Sequence, residues 1–170
     1  MSESSTTDLR ILAGVLRWLS ETEQSAWRAF LQASAQLIQE LDSELLHEAK
    51  LPLAYYQILA MLSEAPDRTL RMSELALRTW SSRSRLSHAV DRLEERGWVV
   101  RMSCPSDRRG AFAQLTESGY AVLVAAAPSH VTSVRRHVFD LLTPDEVTAL
   151  EVISRKITDS LSCPRPEDAD

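Results

Sequence analysis

Ten arginines fall between residues 68 and 110 of this 170-residue chain, and no lysine joins them. Five acidic residues, Glu74, Asp91, Glu94, Glu95 and Asp107, share the segment, so its net charge is +5. The whole chain carries −5, which leaves −10 on the rest. Binding to a polyanion responds to the surface that meets it, so a local basic stretch on an acidic chain points to nucleic acid. The planar guanidinium grips a phosphate or a guanine edge through two parallel hydrogen bonds, which a lysine ammonium cannot do. The chemistry on offer is recognition rather than bond breaking. The sequence holds no His-Glu-x-x-His, paired-Cys or phosphate-loop pattern and no nucleophile with a nearby base. It therefore reads as a non-enzyme with no metal or cofactor.

Those arginines need elements to hold them outward. Residues 72–80 and 82–96 read as two helices with almost no linker. In the second, Leu86, Val90 and Leu93 form one inward stripe, Ser82 suits the cap, and Gly97 suits a left-handed stop. Residues 98–102 are β-rich, 104–110 contain Pro and Gly and read as a hairpin loop, and 111–115 form the return strand. Two tight helices followed by a hairpin make a winged helix-turn-helix. Its flanks read as helical. A short extra helix is expected over 9–19. A long one follows over 21–49, opened by a Ser20/Glu23 capping box, with Trp27, Phe30, Ser34, Leu37, Ile38, Leu41 and Leu45 on its apolar face. Pro52 starts the next, which buries Tyr55, Ile58, Leu59 and Leu62. Thr116 caps a helix with Tyr120, Leu123, Ala127, Val131, Val134, Val138 and Leu141 on one face, kinked at Pro128. Thr143 and Glu146 form a second capping box before a last helix carrying Val147, Leu150, Ile153, Ile157 and Leu161.

The fold class is thus mainly α with a small β-hairpin wing (α+β). The expected division is 1–50 for N-terminal dimerisation helices, 51–116 for the DNA-binding lobe, and 117–170 for C-terminal dimerisation helices and tail. The terminal helices carry more apolar surface than one small lobe can cover, so a second copy is expected, with twofold symmetry. In such an arrangement the start of the second helix enters the major groove. Arg83, Ser84, Arg85, Ser87 and His88 face outward there, and Arg92 lies further along as a backbone contact. Arg108 and Arg109 at the hairpin tip suit a narrow minor groove, and Asp107 suits holding a neighbouring arginine in place.

These residues also carry a resemblance. MSELA at 72–76, SRSRLSHAVDRLEERGWVVR at 82–101 and DRRGAFAQLTESG at 107–119 resemble the multiple-antibiotic-resistance regulator (MarR) family of bacterial transcription factors. The resemblance runs from about residue 21 through the flanking helices. It implies a homodimer controlled by a small phenolic or anionic ligand, with Asp107 and Arg109 as the wing pair. The chain departs from the family pattern at Trp80 and Ser81, where a glycine and an apolar residue are usual, and in the extra N-terminal helix.

Other residues have two readings. Trp27, Phe30, Tyr55 and Tyr56 could line a pocket for an aromatic effector, or be ordinary core aromatics. Cys104 beside the wing could report oxidation. His130 and His137 lie seven apart and read as packing or solvent-facing residues. The longest apolar run, 121–127, is too short to cross a bilayer, and the N-terminus lacks a secretory pattern, so a cytoplasmic, nucleoid-associated protein is expected. The leading reading is a sequence-specific, ligand-responsive transcriptional regulator, more often a repressor, on a pseudo-palindromic duplex site. The alternative is a winged-helix module that binds another protein without sequence-specific DNA binding.

Overall fold

The computed structural model describes residues 17–104 and 107–162, with side chains described for 17–103 and 111–161. In chain order the elements are α1 (Glu21–Ala49), α2 (Leu53–Ser63), β1 (Thr69–Arg71), α3 (Met72–Arg78), α4 (Arg83–Glu95), β2 (Val99–Cys104), β3 (Asp107–Leu115), α5 (Glu117–His137) and α6 (Pro144–Ser162). Single 3₁₀ turns precede β1 and follow α5. The chain falls into two compact units, Met1–Gln39 and Glu40–Asp170, and α1 crosses from one to the other. No described helix is long and apolar enough to cross a membrane.

The helix starts follow from local chemistry. Glu23 accepts from the Ser20 N–H at 2.8 Å while the Glu23 N–H donates to Ser20 Oγ at 3.2 Å, the reciprocal capping box. Thr143 and Glu146 repeat it before α6. Pro52 sits one residue outside α2, as its N-cap. The extra helix expected over 9–19 lies mostly outside the described residues, and residues 17–20 have no regular structure.

The core lies within the second unit. Leu45, Leu51, Leu59, Leu62, Leu75, Leu86, Val90, Leu93 and Val99 are fully buried. Burying each such side chain contributes about 1.5–3 kcal/mol, so the inner stripe of α4 alone anchors it firmly. The sheet has three strands in the order β1-β3-β2, all antiparallel. β1 was not expected. It is only three residues long, but Leu70 is buried and pairs with Ala113. The second hairpin strand also starts earlier than expected. The backbone of 107–110 belongs to β3, after an irregular register at Ser103/Cys104, because antiparallel pairing extends past the short apolar run.

Two helix ends decide how α4 is held. At its C-terminus Gly97 takes φ +72°, the Gly97 N–H donates to the Glu94 carbonyl, and the Trp98 N–H donates to that of Leu93. This is a Schellman closure with glycine at the left-handed position. The end of α3 closes in the same way: the Trp80 N–H donates to Leu77 O and the Ser81 N–H to Ala76 O. Here the left-handed residue is Trp80, at φ +47°. That conformation costs a side-chain-bearing residue about 1–2 kcal/mol.

α5 begins against the end of α4. Thr116 Oγ1 and Ser118 Oγ both donate to the Gly97 carbonyl at 2.8 Å, and the Thr116 N–H donates to that of Trp98. Gly119 lets the helix come this close, since a Cβ there would lie 2.1 Å from the Trp98 oxygen and 2.8 Å from Leu115 Cδ1. Along α5 the inward residues are Gly119, Leu123, Ala126 and Ser133. The expected stripe is therefore rotated: Leu123 is inside, whereas Tyr120, Val131 and Leu141 are exposed. α5 is apolar around much of its girth, and the small-residue side packs inward. The helix ends at His137, earlier than expected, and remains helical through Pro128. On α1 only Leu41 and Leu45 of the expected stripe are buried, while Trp27, Phe30 and Ile38 are about half exposed.

Two stability outcomes follow. Gly119→Ala should lower the free energy of unfolding by about 3 kcal/mol, because the opposing atom is a backbone oxygen that cannot swing aside. A urea midpoint unchanged from wild type would contradict this. His130, packed on the Tyr56 ring at 4.3 Å, has its pKa pushed below 6.5 by burial. Between 6.5 and that lower value the unfolded chain binds the proton more readily, so stability falls as pH drops through this window and is unaffected above it. His130→Phe should flatten the decline in urea midpoint between pH 7.5 and 5.5.

Candidate nucleic-acid interface

The face expected to meet nucleic acid belongs to α4. Ser82 caps this helix, its Oγ accepting from the Arg85 N–H at 3.3 Å. Leu86, Val90 and Leu93 turn inward, leaving Arg83, Ser84, Arg85 and His88 exposed as expected. Arg83 and Arg85 make no ion pair among the described residues. Two guanidinium heads beside the positive end of a helix form a surface suited to phosphate or to base edges.

Ser87 departs from the outward set. It is half-buried, and its carbonyl and hydroxyl accept from Arg101 Nη2 at 2.7 and 3.3 Å. Arg101 is the residue that sequence reasoning missed. From β2 it reaches under α4 to Asp91 Oδ1 at 2.8 Å, while its backbone N–H donates to Glu94 Oε1 at 3.0 Å. Its Nε lies 4.0 Å from Glu94 Oε2, too far for a hydrogen bond. The acids at 91 and 94, three apart on one helix, were the signal that could have found it.

Several other arginines of the basic segment are also occupied. Arg68 pairs with Glu117 at 2.9 Å and lies over the Tyr120 ring. Arg78 pairs with Glu74 at 2.7 Å, and Arg71 lies over the Phe112 ring. Arg96 stacks on Trp98 and Tyr55, at 4.9 and 5.6 Å. Arg92, expected at the DNA backbone, is exposed and paired with Glu95 at 2.9 Å. That surface pair is weak enough for a phosphate to displace. The side chains of Asp107, Arg108, Arg109 and Cys104 lie outside those described, although the backbone of all four belongs to the two wing strands.

The four aromatic residues expected at an effector pocket do not share one unit. Trp27 and Phe30 stack on each other at 6.2 Å in the first, and Tyr55 and Tyr56 lie in the second. Tyr55 lines an open cleft of about 730 Å³ with His88, Ala89, Asp91, Arg92 and Glu95, on a flank of α4. Tyr56 packs on His130, and its hydroxyl is pushed up by burial and by Glu64. His137 lies 3.0 Å from Glu44 Oε1, which Arg136 also contacts. Ser133 and His137 hold Glu44 below the usual carboxylate range. Glu40, Glu44 and His137 bring three potential metal-ligand atoms within 4.8 Å, but Arg136 already supplies positive charge at Glu44.

Comparison with known proteins matches this geometry. A family model described as the MarR family matches residues 49–110, which include α2, α3, α4 and β2. Sco3205 of Streptomyces coelicolor, a MarR family transcriptional regulator solved in complex with DNA, is 48% identical. The match covers 91% of this chain and 97% of that one, with a TM-score of 0.85. This chain belongs to the MarR family. AbsC, a MarR family regulator of the same organism, is 44% identical over 86% of this chain and 98% of its own, with a TM-score of 0.80. The transcriptional repressor MprA of Escherichia coli is 31% identical over 106 residues, and the match spans 60% of MprA's length. These relatives are transcriptional regulators, not enzymes.

Within this MarR lobe, Arg101→Gln should cost about 2 kcal/mol of stability, the scale of charge-assisted hydrogen bonds lost from a half-buried site. A double-mutant cycle with Asp91→Asn, read by urea unfolding, should show coupling above about 0.5 kcal/mol. Additive effects would mean the pair carries no shared energy.

Proposed function

We propose that this protein is a sequence-specific, duplex-DNA-binding transcriptional regulator, acting as a homodimeric repressor that a small aromatic or anionic effector releases. The carrying observation is the exposed arginine pair at the start of α4, which makes no ion pair among the described residues, on a helix whose opposite face is locked into the core. The likeness to Sco3205, which was solved with DNA, supports the same reading. In this reading Arg83, Ser84, Arg85 and His88 face the major groove. Arg92 leaves Glu95 for a phosphate, Ser87 acts through Arg101, and Arg108 and Arg109 enter the minor groove with Asp107 steadying them. It places the protein in the cytoplasm, at the nucleoid.

Dimerisation has its own support. Trp18, Leu19, Trp27, Phe30, Leu31 and Ile38 are exposed in the first unit, and Leu150, Ile153, Ile157 and Leu161 on α6. Such apolar surface on flanking helices suits a second copy. A twofold pair calls for a pseudo-palindrome with half-sites about 34 Å apart. An effector acts by favouring one spacing of the two reading helices over another.

Arg85→Ala and Arg109→Ala should each weaken operator binding by about 1–3 kcal/mol with the dimer intact, and reduce the slope of log K against log salt by about 1. The operator for this test is a duplex that the wild-type protein selects from a randomised pool. A wild-type protein with no duplex affinity even at low salt would favour the protein-binding module instead.

A further inference from the structure

Trp80 combines two unfavourable features. Its backbone is left-handed at φ +47°, where a glycine would sit without strain, and the residue is 83% exposed. Among the described residues no aromatic ring or guanidinium stacks on it. Leu77, three residues back on α3, is 76% exposed, and its carbonyl accepts from the Trp80 N–H, so two large apolar residues stand open where α3 gives way to the turn. A large ring that strains the backbone and gains little burial adds nothing to the stability of the free protein. Strain of this kind concentrates at binding surfaces.

The position of these two residues says what they meet. Trp80 precedes Arg83 by three residues, a span of at most about 11 Å. Between them lie only Ser81 and Ser82, the second being the cap of the reading helix. On the DNA-binding reading, the helix start and the exposed arginines of that first turn are the anion-facing part of the lobe. On that reading, a strand held at Arg83 and Arg85 therefore passes within reach of the exposed Trp80. A neutral, flat ring with one N–H donor suits the apolar face of a deoxyribose, with its Nε1–H free for the adjoining phosphate.

We infer that Trp80, supported by Leu77, is a DNA-contacting residue that packs on the sugar–phosphate backbone flanking each half-site. The inference rests on the DNA-binding reading above and adds to it a contact that no arginine provides. The contact is uncharged and reads the path of the strand, not a base.

The test uses the full-length protein and a duplex selected by the wild type from a randomised pool. Trp80→Gly removes the indole and relieves the backbone. Its urea midpoint should equal or exceed that of wild type, while its affinity for the duplex falls about five- to tenfold, a change of roughly one factor of ten at most in the dissociation constant. The salt slope should stay at the wild-type value, because no phosphate charge is neutralised by the indole. Hydroxyl-radical cleavage, which attacks deoxyribose, should lose protection at sugars just outside each half-site. Trp80→Phe should retain part of both the affinity and the protection. Unchanged affinity and footprint in Trp80→Gly, with Arg85→Ala still weakened, would overturn the role of Trp80 and leave the DNA-binding reading standing. A loss of affinity matched by a lower urea midpoint would assign Trp80 a structural role and also overturn the inference. Absence of duplex binding by the wild type would remove both.

Discussion

Arg101 reaches from strand β2 beneath α4 and binds the side chain of Asp91 together with the carbonyl and hydroxyl of Ser87. Its own backbone N–H is held by Glu94. One residue thus ties the first strand of the wing to two successive turns of the reading helix. A guanidinium suits this place because its planar fork presents several donors in fixed directions, so the bonds set an orientation as well as a distance. The buried stripe of Leu86, Val90 and Leu93 sets the depth of α4 in the lobe. Apolar packing alone tolerates sliding, and the directional bonds to Arg101 remove that freedom.

The ends of α4 are held with equal care. Ser82 closes the start, and Gly97 closes the finish in a left-handed turn. From that finish the Gly97 and Trp98 carbonyls accept from Thr116 and Ser118 at the start of α5, and Gly119 makes the close approach possible. The reading helix is therefore coupled through three hydrogen bonds to a flanking helix that reaches to residue 137. Glu44 on α1 meets Arg136 and His137 at the far end of the same helix. The bonds from Thr116 and Ser118 link the start of α5 directly to the end of α4.

The eight arginines of the basic segment whose side chains are described divide into two kinds. Arg68, Arg71, Arg78, Arg92, Arg96 and Arg101 have partners within the lobe, as ion pairs or on aromatic faces. Arg83 and Arg85 are exposed and make no ion pair among the described residues. A net charge of +5 therefore overstates how many guanidinium groups face a partner. It still raises the local potential, because paired side chains on the surface remain hydrated and their charges are only partly cancelled.

Much of this was legible in the residues. Apolar spacing located the helices, Ser20 with Glu23 and Thr143 with Glu146 marked two starts, and Gly97 marked a stop, because these signals act within one turn of backbone. The order of two tight helices and a hairpin, with its arginines, was enough for the lobe and its family. What the sequence could not decide was set by contacts between residues far apart in the chain. β1 exists because Leu70 finds Ala113 across the sheet, and no three-residue strand announces itself. Ser87 turns inward because Arg101, fourteen residues on, reaches it. The face of α5 that packs inward was settled by which side could approach the Trp98 carbonyl, since several faces of that helix are apolar. Local pattern determines what a segment becomes; only the folded chain determines which of its side chains are left free to meet a partner.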